Sequence, residues 1–230
     1  MATPKLNRLA IAFMQRIQDP ITESAGVITA GQLIRSVAEI ESYVHRAGQI
    51  FFNGAWNAAQ PENESPGSMS HKNKFLNMFP ELFKFRSITL TYASAVSRVD
   101  ISTVYNDIFE ILDSVKQGGG GLIEVWDPSK LADCIAESDP FYSPPRVNSS
   151  TPGMILSHPY IYGFPNDLAD PGGYTFTLNY IQNNKNPITG AILVSGGTYD
   201  VPFSEHHIDA IAEIAVGIYK KDDFQEDAGG

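Results

Sequence analysis

From Tyr174 to Ile181 the chain alternates cleanly. Tyr174, Phe176, Leu178 and Tyr180 are aromatic or aliphatic, and Thr175, Thr177 and Asn179 between them are polar. A period of two puts the two sets on opposite faces of a strand with one face buried. Such a strand needs partners, so the chain must contain a sheet. Leu122 to Trp126 reads as a second strand, and Asn183 to Pro187 as a turn. Between Phe141 and Asp170 the apolar pieces Met154-Ile155-Leu156 and Tyr160-Ile161-Tyr162 lie among prolines. Together these pieces predict a small antiparallel sheet or sandwich set between helical segments.

The flanks carry helical spacing. Leu6, Leu9, Ile11, Phe13 and Ile17 predict a short amphipathic helix that stops at Asp19-Pro20. Lys5 and Arg8 ahead of an apolar run give this segment a faint signal-peptide shape. Gln15 and Arg16 break the run and no small-residue cleavage site follows, so it reads as mature helix. Thr29 and Gln32 have capping-box spacing. After them Leu33, Val37, Ile40, Val44 and Ala47 form one stripe, and the pattern runs to about Ala59, before Pro61. A helix of that length is a rod of roughly 45 Å, long enough to span a layer or to pack on a neighbouring subunit. Residues 60–70 read as an exposed loop. The run Phe75, Leu76, Met78, Phe79, Leu82, Phe83, Phe85 is costly to expose and belongs in the core or at a subunit interface.

Ile101 to Val115 fits both templates. Ile101, Val104, Ile108, Ile111, Leu112 and Val115 have helical spacing, yet the segment is rich in β-branched and aromatic residues. Asp127-Pro128 opens a short helix, with Asp127 as N-cap and Leu131, Cys134 and Ile135 turned inward. Ser204 caps a final helix whose buried face is Ile208, Ile211, Ala212, Ala215 and Ile218. Residues 222–230 read as a flexible acidic tail.

Composition limits the function classes. Sixteen Lys and Arg against 26 Asp and Glu give a net charge of −10 in 230 residues. That argues against a protein that grips nucleic-acid phosphates. Residues 200 to 230 carry eight acids and two bases, so −6 of the −10 lies there. The single cysteine, Cys134, excludes a disulfide framework within the chain and a cysteine-rich zinc site. No run of about 20 apolar residues exists to span a membrane.

Candidate chemistry is sparse. Gly118 to Gly121 is followed by no Gly-Lys-Ser/Thr and reads as a hairpin tip, not a phosphate loop. Glu205, His206, His207 and Asp209 contain metal-ligand types, and His206 and Asp209 share a helix face. A solvated helix start explains them as well. Cys134 lies on the apolar side of its helix as an inert thiol, and Ser195 before Gly196-Gly197 is not a nucleophile elbow.

The order of features carries more than any motif. A short helix and a long one are followed by a mixed middle ending in Ile123-Glu124-Val125-Trp126-Asp127-Pro128. Then come Phe141-Tyr142-Ser143-Pro144-Pro145 and Pro159-Tyr160-Ile161-Tyr162-Gly163-Phe164-Pro165. The strand Tyr174 to Ile181 is next, and Tyr199-Asp200-Val201-Pro202-Phe203-Ser204 leads into the last helix. From about Leu6 to Asp227 this order resembles the head-to-tail adaptor (connector ring) proteins of tailed bacteriophages, the short-tailed and crAss-like ones above all.

The resemblance implies an α+β, mainly α fold: a helical bundle with a small antiparallel β-sheet insertion and an extended C-terminal tail. Residues 1–98 are expected to form the first part of the bundle, 99–198 the mixed insertion, 199–221 the final helix and 222–230 the tail. In that family the segment before the glycine run is extended, which favours strand for Ile108 to Val115. The implied function is structural and non-enzymatic, with no catalytic residue, cofactor or metal. A dodecameric ring would join the capsid portal to the tail and line the DNA channel. Its implied partners are copies of itself, the portal, tail or further ring proteins, and genomic DNA passing without sequence-specific contact. The implied location is the virion head–tail interface, after assembly in the host cytoplasm. The portal contacts implied are Tyr219, Phe224, Gln225, Glu226 and Asp227. Two rivals rest on the residues alone. One is a carbohydrate- or receptor-binding module using Tyr160 to Asn186, and the other a hydrolase using Glu205, His206 and Asp209.

Overall fold

The computed structural model describes residues 5–19, 23–24, 27–28, 34, 36–93, 96–103, 105–112, 114–117, 122–135, 152–165, 168, 172–185 and 201–227. The first helix, α1 (Lys5–Arg16), buries Leu6, Leu9, Ala10, Phe13 and Met14, the three-and-four spacing of one apolar stripe. It ends where Gln18 takes a φ of 61° and Asp19 donates its N–H to Met14 O at 3.0 Å. Asp19 then accepts the Ile34 N–H at 2.9 Å. The two-residue strands β1 (Glu23–Ser24) and β2 (Val27–Ile28) pair antiparallel.

Helix α2 (Val37–Ala59) is 23 residues, about 35 Å, shorter than the sequence pattern predicts. It starts at a different capping box. Ser36 Oγ accepts from the Glu39 N–H, and Glu39 stands three residues on, the Ser-x-x-Glu spacing. The Thr29–Gln32 box lies outside the described residues. Helix α3 (Met69–Met78) follows the exposed loop and is capped by Ser68, whose Oγ accepts the His71 N–H at 3.2 Å. A 3-10 turn, Pro80–Leu82, then leads into strand.

The last long helix, α5 (Ile208–Asp227), packs on both α1 and α2. The acidic run from Asp222 to Asp227, expected as tail, is helical backbone. The helices share one core, in which Phe51, Phe52, Phe75, Phe79 and Phe203 meet edge to face or tilted. Arg16 joins α1 to α5 through Asp209 and Glu213, both at 2.7 Å. These exposed pairs orient the helices more than they stabilise them.

The expectation of a mainly helical bundle with a small sheet insertion is wrong. Among the described residues, four helices of ten or more residues and one short one accompany a mixed sheet whose eight strands make seven staves, nearly closed into a barrel. Its strands are β3 (Phe83–Ala93), β4 (Val96–Asp100), β5 (Ile108–Ile111), β6 (Ser114–Gln117), β7 (Leu122–Val125), β8 (Gly153–Ser157), β9 (Tyr160–Phe164) and β10 (Tyr174–Gln182). The order is β3-β4-β9-β8-β7-β6-β10, and β10 returns to β3. β5 and β6 lie one after the other along the same side of β10 and together make one stave. Among the described pairings only that of β7 with β8 is parallel. A short helix, α4 (Leu131–Ile135), follows β7 as predicted, after the Asp127-capped turn.

The sheet was underestimated because β3 begins inside the aromatic run. Ile88 and Leu90 point into the barrel and Ser87, Thr89 and Thr91 point out, so the alternation is present but borders phenylalanines that read as core. The ambiguous segment 101–115 is extended at β5 and β6. Its helical spacing has a cause: Ile181 pairs with Glu110 but Gln182 pairs with Ile108. This bulge slips Phe109 in as an extra residue, so Ile108 and Ile111 face inward although three apart. Phe109 is turned out against Phe52 and Trp56, with ring centroids at 4.8 and 5.0 Å.

Inside the barrel, Ile88, Leu90, Ile108, Ile111, Ile123, Met154, Ile161, Phe176 and Leu178 form a second core. A fully buried carboxylate, Asp107, sits at its end. Arg86 donates to it at 3.1 and 3.4 Å, Tyr180 Oη at 3.0 Å and Gln182 Nε2 at 3.3 Å. The guanidinium lies over the rings of Tyr105 and Tyr180. Burial, then the charge of Asp107, holds the Tyr180 hydroxyl well above its ordinary pKa, so it donates at all physiological pH. Arg86 keeps 31% of its side chain exposed and can be hydrated, but the buried Tyr180 hydroxyl would lose its acceptor, so Asp107→Ala is expected to cost about 2 kcal/mol. Tyr180→Phe, which loses one hydrogen bond, should cost about 1 kcal/mol. Urea unfolding followed by tryptophan fluorescence measures both. A loss under about 0.5 kcal/mol for Asp107→Ala would show that the network does not hold the barrel.

Candidate functional site

The barrel wall is open along one seam. β6 pairs with β7, Ser114 opposite Glu124 and Lys116 opposite Leu122, whereas among the described residues β5 has only β10 beside it. Between β5 and the ends of β7 and β8 lies a cavity of about 570 Å³, roofed by the start of α3. Lys72, Phe109, Glu110, Trp126, Asp127 and His158 are among its walls. A second cavity of about 380 Å³ shares Phe109 and His158 with the first and adds Ser102, Asn106, Asn183 and Lys185. The two therefore run side by side along β5.

Each polar wall residue has a local reason for its place. Lys72, one turn into α3, is buried, with Nζ on Ile111 O at 2.8 Å and 3.4 Å from Glu110. Asp127 caps the turn after β7, and Ser129 holds its carboxyl below the usual range by hydrogen bonds from side chain and backbone. His158 lies in the β8–β9 turn. Burial lowers its pKa, the charge of Lys185 lowers it further, and Glu110 opposes both. The imidazole is thus neutral at pH 7, with Glu110 and Lys185 acting on it with opposite sign. Ser102, the hydroxyl on the same wall, is held by Asp100 at 2.6 Å and is not aimed at His158 as a nucleophile. The arrangement offers donors, acceptors and apolar surface to a bound group. It assembles no nucleophile–base pair.

The residues singled out in the sequence lie elsewhere. Tyr219 is partly buried, with ring centroids 5.7 Å from Tyr43 and 6.3 Å from Phe13. It therefore belongs to the α1–α2–α5 packing. Residues 224–227 are α5 backbone, and nothing is described of the side chains of Phe224, Gln225, Glu226 and Asp227. Glu205 pairs with Arg8 and Asp209 with Arg16, so the would-be metal or hydrolase carboxylates face α1. Among the described residues no group of three or more His, Cys, Asp or Glu is placed to hold a metal ion.

Cys134 is buried in a small outer cluster with Ile155 and Phe164. Trp126 covers Gly153 there so closely that a Cβ would lie 2.2 Å from the indole. Tyr160 and Tyr162 meet at 5.9 Å, and Arg98 lies over the Tyr160 ring at 4.5 Å. Gly118 to Gly121, Phe141 to Pro145 and Ser195 lie outside the described residues. Lys72, Glu110 and His158 carry no sequence signal; only the bulge at Phe109 and the strand order bring them together.

No family model matches this chain, and no curated protein matches it.

A second polar cluster lies between the bundle and the barrel. His45 on α2 is buried with neither ring nitrogen hydrogen-bonded, and both side-chain polar atoms of Asn184, just past β10, are also without partners. One turn after His45, Gly48 is the close-approach point: a Cβ there would lie 2.3 Å from Asn184 Nδ2. Gln49 Nε2 donates to Asn184 O at 3.0 Å. Burial alone drives the His45 pKa from 6.5 down to about 3. The neutral ring is therefore the folded form, and the unfolded chain binds the extra proton. Stability is full above pH 6.5 and falls as the pH drops from there toward 3, by about 1.4 kcal/mol per pH unit. Between pH 7 and 5 the loss from this residue is expected to be about 2 kcal/mol. His45→Phe should flatten that part of the profile in urea titrations. An unchanged slope would place the acid sensitivity elsewhere.

Proposed function

We propose that this chain is a non-enzymatic assembly protein, a subunit of a closed ring of the portal-to-tail adaptor kind that its sequence resembles. One observation carries the reading: Phe85 is 72% exposed and Phe83 42% exposed on the same outward face of β3, and Met78 just before them is 46% exposed. A phenylalanine contributes about 150–250 Å² of contact when covered, and leaving two of them in water along one strand is unfavourable. A second copy of the chain would cover them. A closed ring repeats one such heterologous contact around its axis.

The charge supports the same reading. A net −10 repels phosphates, so duplex DNA would slide through a channel of such subunits without being held. In this proposal the ring is a virion component between portal and tail, its partners are those two assemblies and other copies of itself, and α5 is the helix offered toward the portal.

The test is the mass and rotational symmetry of the purified chain, alone and mixed with portal, by light scattering and single-particle imaging. A closed ring around a channel wide enough for duplex DNA is the expected result. Phe83→Ser with Phe85→Ser should leave circular dichroism and the unfolding transition intact while shifting the particle to monomer. A wild-type chain that stays monomeric, or forms a two-fold dimer, in the presence of portal would overturn the proposal.

A further inference from the structure

The two cavities along β5 differ in the charge of their walls. Glu110 and Asp127 line the larger, where Lys72 is matched by Glu110 at 3.4 Å. Lys185 lines the smaller. The β5 backbone is engaged at both ends. Ile108 donates its N–H to Tyr105 O at 3.1 Å, and Ile111 O accepts from Lys72 Nζ at 2.8 Å. Recognition in these cavities therefore falls to side chains.

One wall residue points to a ligand. Asn183, just past β10, is only 6% exposed and lines the smaller cavity. Its side-chain nitrogen donates to Asn106 O at 3.3 Å, which sets the amide orientation. Among the described residues its Oδ1 accepts no hydrogen bond. A buried carbonyl left without a donor costs about 1–3 kcal/mol, so a ligand N–H or O–H brought to it is favoured. The same walls hold Ser102, whose Oγ donates to Asp100 at 2.6 Å and keeps lone pairs with which to accept. The neutral His158 imidazole carries one donor and one acceptor, and the Lys185 ammonium donates.

This mixture selects the class of ligand. A compact anion meets Glu110 and Asp127, and a compact cation meets Lys185. An apolar molecule leaves Asn183 Oδ1 unsatisfied and takes the charged walls out of water. A neutral molecule with many hydroxyls serves walls of both signs, because each hydroxyl donates and accepts. Ile108, Phe109 and Pro159 in the smaller cavity and Leu156 in the larger offer apolar surface to its C–H faces. The volumes, about 570 and 380 Å³, are those of small-molecule sites.

We infer that the paired cavities along β5 bind a neutral carbohydrate, with Asn183 Oδ1 and Glu110 accepting from sugar hydroxyls and Lys185 donating to them. Tyr160 and Tyr162, the aromatic pair within the segment read from sequence as a carbohydrate surface, line neither cavity. Neither do Phe83 and Phe85, so the inference does not rest on ring formation.

The experiment titrates maltose, cellobiose, lactose and N,N′-diacetylchitobiose, each to tens of millimolar, into the full-length, isotopically labelled chain. At least one is expected to shift the amide signals of Ser102, Asn106, His158 and Lys185 and the side-chain NH₂ of Asn183. Its affinity should be the same in low and high salt, because a neutral ligand is not screened. Ser102→Trp, at an exposed turn position, should block the smaller cavity and abolish the shifts, whereas Ser102→Ala should keep them. Lys185→Ala, also at an exposed position, should weaken binding about fivefold with the unfolding transition unchanged. No shift from any of the four sugars would overturn the inference. So would shifts that persist in a folded Ser102→Trp chain. An affinity that falls about tenfold as salt is raised, or the same shifts produced by n-butylamine or butyrate, would mark a site for ions and overturn it as well.

Discussion

The pairing of β10 with β3, running from Tyr174 opposite Leu90 to Ile181 opposite Phe83, is the contact on which the rest of the structure depends. It joins segments about ninety residues apart in sequence and converts an open meander into a barrel. Without it the inward faces of both strands would look onto water. Such a contact is costly to form because it closes a long loop, and it is repaid only when the whole barrel interior is dry. The buried Asp107 fastens the same region, because its partners Arg86 and Tyr180 come from the two strands that close the ring.

The same strand, β10, also sets where the barrel stays open. On its other side it carries β5 and β6 in succession, and the bulge opposite Ile181 and Gln182 turns β5 off the line of β6. β6 remains on β7, while β5 stays on β10 and leaves a seam. The helices close part of that seam from outside. Phe109, the extra residue of the bulge, packs between Phe52 and Trp56, and Lys72 reaches the Ile111 carbonyl. Bundle and barrel are thus joined at the place where the barrel wall is incomplete.

Much of the local structure was legible from residue pattern. The stripes of α1 and α5, the Asp127 cap, the exposed loop after Ala59 and the alternation of β10 all follow from periods of 3.6 and 2 and from capping chemistry. The start of α2 was misplaced because two capping boxes precede the same stripe, and spacing does not rank Thr29–Gln32 against Ser36–Glu39. The segment around Ile108 and Ile111 imitated a helix because a bulge had displaced the strand period by one residue. The candidate site was not legible. Lys72, Glu110 and His158 are single polar residues on three different elements, with no spacing in common.

What this sequence determines by itself is which segments become helix or strand and which face each one must bury, because those follow from interactions between residues a few positions apart. The acidic balance and the absence of a cysteine framework are likewise fixed by composition. Tertiary structure decided the rest: that the strands form a nearly closed barrel and not a small insertion, that the wall opens at β5, and that a lysine, a glutamate and a histidine line that opening. The physical reason is range. Strand pairing and cavity walls are made by residues far apart in the chain, and no local period records which distant strand will satisfy a given edge.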